Sequence, residues 1–473
     1  MTEIRESQMQ PVDPHDQRFY GGAGLRIGAE LRATLALAAP LAAANLAQMA
    51  MAVTNTVMVG RLGPLPLAAA GLGGMIFFTI GVMLQGILFA VAPLAAHALG
   101  AGDRSAAGRI AGAGLVLALL LALPFIAALV SLDQVLLALG YDAALATEIG
   151  RYLRALAWGG PAFLGFAVQR SLLAALSHTR SVMAVLLVCV AGNAVLNWVL
   201  IFGHLGAPAL GVVGSGYASA INQWLMLAGL ALCTRMMPGL AGLHIARGAL
   251  ATSRIEMANI LRLGLPIGGL RGMEVGVFLL AGILMGLLGA AALGAHQLVL
   301  NCAGISFMVP LGLGQAATVR IAYELGAGRP FAARRAALVA LALGIGFMSA
   351  AAVVLWTAPE AIIAIYVDLA DPANRETIEI ARRLIVIAAI FQVFDGMQVI
   401  AAGALRGYKD TMVPMLLAGF GTSWLFAFPL GYGAPGLWWG LALGLAVVAI
   451  LLTIRLHQLA PPVRGTAGAI AVQ

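Results

Sequence analysis

Apolar stretches of 20 or more residues follow one another from about residue 32 to about residue 457, with only short polar breaks between them. Each is long enough to cross a bilayer core of roughly 30 Å. No water is present in that core to hydrogen-bond the backbone, so each stretch satisfies its own N–H and C=O groups by forming a helix. Hydrophobic residues make up 62% of the chain and charged residues 10%, too little charge to cover a water-soluble domain of 473 residues. The chain reads as an all-α polytopic membrane protein.

Twelve transmembrane helices are predicted, near 32–58, 66–97, 108–131, 148–175, 182–203, 209–234, 257–287, 292–323, 333–357, 378–404, 412–431 and 434–457. The loops between them alternate in charge. Basic residues gather after the second span (Arg104, Arg109), the fourth (Arg180), the sixth (Arg235, Arg247, Arg254, Arg262), the eighth (Arg329, Arg334, Arg335) and the tenth (Arg406, Lys409). The intervening loops carry Asp133, Asp142, Glu360, Asp368 and Asp371 instead. Short positive loops stay in the cytoplasm, so both termini are expected on the cytoplasmic side of the inner membrane. The first 25 residues have neither a basic n-region nor an apolar h-region, and no cleaved signal peptide is expected. Cys189, Cys233 and Cys302 lack metal-ligand spacing and read as small apolar residues.

The chain is a tandem repeat. Pro40 matches Pro266 at an offset of 226, and Leu99-Gly100-Ala101-Gly102 matches Leu325-Gly326-Ala327-Gly328 at the same offset. Near the fourth and tenth spans the offset is 229, pairing Gln169 with Gln398 and Leu176 with Leu405. Six spans per half gives both halves one orientation, hence two pseudo-symmetric six-helix bundles around a central cavity, related by an axis along the membrane normal. The expected organisation is a tail over 1–31, one lobe over 32–235, a cytoplasmic linker over 236–256, a second lobe over 257–459 and a tail over 460–473. Rocking one bundle against the other opens the cavity to each side in turn. Pro40 and Pro266 sit at equivalent points of spans one and seven and are candidate helix hinges.

Two carboxylates fall in mid-span: Glu274 in span seven and Asp395 in span ten. A charge at the bilayer centre costs roughly 2.5 kcal/mol or more and by default marks an ion or substrate path. Ionised, the pair can hold a hard cation such as Na+ with help from amide oxygens; brought together in a dry site, it takes up a proton instead. Arg271 lies three residues before Glu274, on one helix face, as a candidate partner of that acid. Amides accompany the acids: Gln392 and Gln398 flank Asp395, and Gln297 and Asn301 share a face of span eight. In the first half, Gln48 and Asn55 in span one and Asn193 and Asn197 in span five are the candidate polar residues of a cavity, or bonds between helices. Gln48 is the repeat equivalent of Glu274.

The chain has no G-x-x-x-x-G-K-[ST] loop and a single lysine, Lys409, so an ion gradient rather than ATP is the expected energy source. No metal cluster, cofactor motif or nucleophile–base constellation is visible, and an enzyme is not expected. The expected partners are small organic cations and membrane lipid; nucleic acid is not among them, and a monomer is expected. Competition between an organic cation and Na+ or H+ for the same carboxylates supports antiport.

One run is specific enough to point to a family: Gln398-Val-Ile-Ala-Ala-Gly-Ala-Leu-Arg-Gly-Tyr-Lys-Asp410, preceded by Asp395. With Thr56-Val57-Met58-Val59-Gly60, Leu196-Asn197-Trp198, the Gly206-Ala207-Pro208 turn and the Ala295-His296-Gln297 to Asn301 stretch, it resembles the MATE (multidrug and toxic compound extrusion) transporters of the NorM-type branch. The resemblance implies export of cationic drugs against Na+ or H+ by a two-bundle fold, with Glu274 and Asp395 as the carboxylates of the second lobe. Two positions depart from the pattern. Asn55 stands where an Asp is common in span one, and Phe391 where a Tyr often precedes the span-ten acid. A lipid-linked sugar flippase is the alternative within the same broader fold group, but it should line its cavity with several arginines, and Arg271 alone reads as mid-span. A major-facilitator transporter is the other alternative, against which the 398–410 run argues.

Overall fold

A computed structural model describes residues 27–237, 243, 245, 254–411 and 431–459. The described residues are helical almost throughout and contain no strand. The predicted eleventh span, the terminal tails up to residue 26 and beyond 459, and most of the linker lie outside them.

The first half contains α1 (Ile27–Gly60), α2 (Pro64–Leu88), α3 (Val91–Gly100), α4 (Arg104–Val130), the short α5 (Leu132–Ala138), α6 (Ala143–Ala157), α7 (Gly160–Ala175), α8 (Thr179–Phe202) and α9 (Val212–Met236). The second contains α10 (Arg254–Leu287), α11 (Ala290–Gly326), α12 (Pro330–Thr357), the short α13 (Pro359–Ile363), α14 (Arg375–Gly407) and α15 (Gly433–Leu459). These account for eleven of the twelve predicted spans. Spans two and four are each broken into two helices. Proline has no N–H for the bond to the residue four before it; for Pro93 that residue is Phe89 and for Pro161 it is Ala157, and both breaks fall there. Pro40 and Pro266 are instead carried inside unbroken helices of 34 residues each. Two loop acids cap helices: Asp103 accepts from the Ala106 N–H at 2.7 Å and Asp142 from that of Leu145 at 3.0 Å.

Each bundle has its own apolar core. One gathers Phe77, Phe125, Leu153 and Phe163 of the first half, and another Phe391, Trp438, Leu384 and Ile385 of the second. The bundles meet along α1–α11, α2–α10 and α3–α11, and the meeting obeys the repeat. Gly100 and Gly326 are repeat partners, as are His97 and Tyr323. A methyl built on Gly100 would overlap the carbonyl of Tyr323, and one on Gly326 the carbonyl of His97. One helix rests on the other reciprocally, and only glycine admits that approach. Gly86 and its partner Gly312 repeat the device: the first lies against Gly268 of α10, the second against Ala42 of α1.

The same end of the molecule, which bears the basic loops, buries ions that residue order places in tails and at helix ends. Glu30 is 1% exposed and Arg320 0%, and their side chains pair at 2.7 Å between α1 and α11. Arg335 approaches the other oxygen of Glu30 at 3.9 Å, and Arg329 pairs with the buried Glu324 at 2.9 Å. Glu30 was expected in a polar tail. It belongs instead to the first turn of α1, which starts five residues before the predicted span.

Candidate functional site

The helices that carry the two mid-span carboxylates meet at Glu274. Glu274 on α10 pairs with Arg271 at 2.8 Å through one oxygen and accepts from Gln398 Nε2 of α14 at 3.0 Å through the other. Asp395, one turn before Gln398 on α14, is buried at 9% exposure. The acid of span seven is thus tied through Gln398 to α14, one helical turn from the acid of span ten. Arg271 fills the role of acid partner that its spacing suggested.

The remaining residues of the second half divide. Phe391 is buried one helical turn from Asp395, with its ring edge-on to Trp438 at 5.5 Å and to Phe278 at 6.2 Å. It forms an apolar wall between α10, α14 and α15. Trp438 in turn donates to Nδ1 of the fully buried His296 at 3.1 Å, tying α15 to α11. Gln297 and Asn301 are exposed on one face of α11. Gln392 does not join the acids: its oxygen accepts from Ser306 at 2.9 Å and its nitrogen reaches the Met348 carbonyl at 3.5 Å. Three residues along a helix displace a side chain by about 60° around the axis, enough here to turn it into the seam between α11 and α12.

The amides of the first half also divide. Asn197 donates to the Asn55 oxygen at 2.8 Å and to the Asn193 carbonyl at 2.8 Å, and Asn55 donates to Ser219 at 3.1 Å. Asn193 and Asn197 are 1% and 0% exposed. These three bond α1, α8 and α9 together rather than facing an open cavity. Gln48 differs. Its oxygen accepts from Arg170 Nη1 at 3.2 Å, and Arg170 Nη2 serves Asn45 of α1 and, at 3.0 Å, Gln315 of α11.

Arg170 corrects the expectation that Arg271 is the one mid-span arginine. Near the end of a predicted span, an arginine reads as snorkelling toward water, yet Arg170 is 7% exposed. Arg406, assigned to a loop, ends α14 and joins it: a cavity of about 40 Å³ between the bundles is lined by Arg170, Arg271 and Arg406 with Ser171, Gln315 and Thr318. The repeat gives the pattern its logic. Asn45 and Gln48 are the equivalents of Arg271 and Glu274, so each lobe builds a guanidinium-centred network at one level, charged in the second lobe and neutral in its acceptors in the first.

Two bundles of helices long and apolar enough to cross a membrane, with carboxylates in mid-helix, are the build of a membrane transporter. The MatE family model matches residues 40–199 and 266–433, two segments that begin at the repeat offset. A curated relative from Burkholderia mallei, described as a probable multidrug resistance protein NorM, is 46% identical over 90% of this chain and 92% of its own. The multidrug resistance protein NorM of Burkholderia vietnamiensis is 45% identical over 90% and 93%. A eukaryotic MATE transporter, AtDTX14, superimposes with a TM-score of 0.81 at 22% identity, over 92% of this chain and 98% of that one. A multidrug resistance MATE family transporter in an outward-facing conformation gives 0.81 at 18% identity, over 95% and 99%. The chain belongs to the MATE family, in its NorM-type branch.

Proposed function

We propose that this protein is an antiporter that exports organic, mainly cationic, compounds across the inner membrane while Na+ or H+ moves inward. The observation that carries the reading is the contact between two helices of the second lobe at the acids: Glu274 bonded to Gln398, with the buried Asp395 one turn away along α14. The names of the relatives support multidrug export. A cation entering this locus meets two carboxylates and one amide oxygen, a hard donor set suited to Na+; a proton satisfies the same carboxylates without further ligands. An organic cation arriving there competes with either, and that competition is the exchange.

In this scheme Gln297 and Asn301 are polar contacts for the substrate, Phe391 is an apolar wall and Pro40 and Pro266 let α1 and α10 bend as the lobes rock. The basic-loop end is cytoplasmic, both termini lie there, and the transporter acts as a monomer. Efflux from proteoliposomes, driven by an imposed Na+ gradient and separately by a pH gradient, tests the reading. Transport under one gradient or the other is expected, and its loss in Glu274→Gln and Asp395→Asn. Undiminished efflux in both variants would remove the carboxylates from the mechanism.

A further inference from the structure

The cavity between the bundles has a charge balance that cation export does not use. Three guanidiniums line it, from three helices and both halves of the chain: Arg170 on α7, Arg271 on α10 and Arg406 on α14. Their acceptors are mostly neutral. Arg170 donates to three amide oxygens, those of Asn45, Gln48 and Gln315. Arg406 gives one to the main-chain carbonyl of Ala402, at 3.3 Å through Nε; its two terminal nitrogens have no acceptor among the described residues. Only Arg271 holds a carboxylate, that of Glu274.

Arg170 is buried, where a guanidinium is costly unless its charge is matched; Arg271 and Arg406 are half-buried. Among the described residues, three arginines and no acid line the cavity; Glu274 reaches one of them, Arg271, from outside the lining. The Ser171 hydroxyl and the Gln315 amide nitrogen add donors to oxygen without adding negative charge, whereas Thr318 gives its hydroxyl to the main-chain carbonyls of Gly403 and Gly314. A cavity of about 40 Å³ admits a few water-sized atoms, since roughly 10–15 Å³ accommodates one. That matches the oxygens of one carboxylate or phosphate group, whose geometry suits the guanidinium fork.

We propose that the cavity floored by Arg170, Arg271 and Arg406 is an oxyanion site, which seats one compact carboxylate or phosphate group between the two lobes. The group is a free anion, the acidic part of an organic solute, or the headgroup of an anionic lipid; the recognising chemistry is common to all three. Because its ligands come from both bundles, an occupied site holds the lobes together at this level, and an anion leaves when they part.

The test measures binding without gradient or transport, so it stands even if the antiport reading fails. The full-length protein is placed in nanodiscs of phosphatidylcholine, and its thermal unfolding is followed while inorganic phosphate or acetate replaces chloride at constant ionic strength. A saturable rise in Tm is expected. Arg406→Gln should weaken the response by roughly ten- to a hundred-fold, the loss of one charge-assisted contact, whereas Arg406→Lys should retain most of it. A parallel arm replaces part of the lipid with phosphatidylglycerol. Stabilisation confined to that arm, and erased in Arg406→Gln, assigns the site to a lipid headgroup and also supports it. No saturable response of the unmodified protein in any arm would overturn the proposal, whether or not the variants fold. So would folded Arg406→Gln and Arg170→Gln proteins that respond as the unmodified one does.

Discussion

Removing Arg320 should drive the lobes apart at the basic-loop end. Arg320 and Glu30 are 0% and 1% exposed and meet at 2.7 Å between α11 and α1, so in the observed arrangement neither reaches water. In Arg320→Gln the Glu30 carboxylate stays buried with only the more distant Arg335, at 3.9 Å. Breaking one side of a buried ion pair costs about 3–5 kcal/mol. Separation of the lobes at this end hydrates Glu30 and recovers that energy, so the arrangement with this end open gains about a hundred- to a few thousand-fold in relative population. Spin labels on the exposed positions 105 and 331, one on each half, in a protein freed of its three native cysteines, report the distance across this end. A shift of the distribution to longer distances is expected in Arg320→Gln, and a return toward the original in the double variant Glu30→Gln/Arg320→Gln, which buries no lone charge. An unchanged distribution in the folded single variant would refute the claim that this pair holds the lobes closed.

Gly100→Ala and Gly326→Ala should each lower thermal stability by about 1–3 kcal/mol and lengthen the same label distance, because the added methyl meets the carbonyl of Tyr323 or His97; Gly192→Ala, which meets nothing within 4 Å, is the control. Trp438→Phe leaves His296 Nδ1 buried without its donor and should cost about 1–3 kcal/mol in thermal unfolding. Asn197→Ala should cost only about 0.6–1.7 kcal/mol, the range of interhelical hydrogen bonds in membrane proteins; a larger loss in chemical unfolding would mean that the tie to Asn55 does more than join helices.

What residue order determines and what packing decides are separated by one physical line. Lipid imposes a long apolar helix wherever the chain crosses it, and the basic loops and the repeat are one-dimensional patterns. Eleven of the twelve spans, the two bundles and the mid-helix positions of Glu274 and Asp395 were therefore legible from residue order alone. So was the Arg271–Glu274 pair, because i and i+3 neighbours are set by helix geometry before any packing occurs. Which way an amide faces is different: Gln392 and Gln398 look alike in sequence, yet one bonds Ser306 between α11 and α12 and the other reaches Glu274. Arg170, Arg320 and Arg406 also sit within a turn or two of helix ends, where an arginine ordinarily reaches water. Only the arrival of a second helix bundle closes that route, burying Arg320 against Glu30 and drawing Arg170 and Arg406 into one cavity with Arg271. Hydropathy registers what a residue costs in lipid, whereas the partners that offset the cost come from helices far away in the chain.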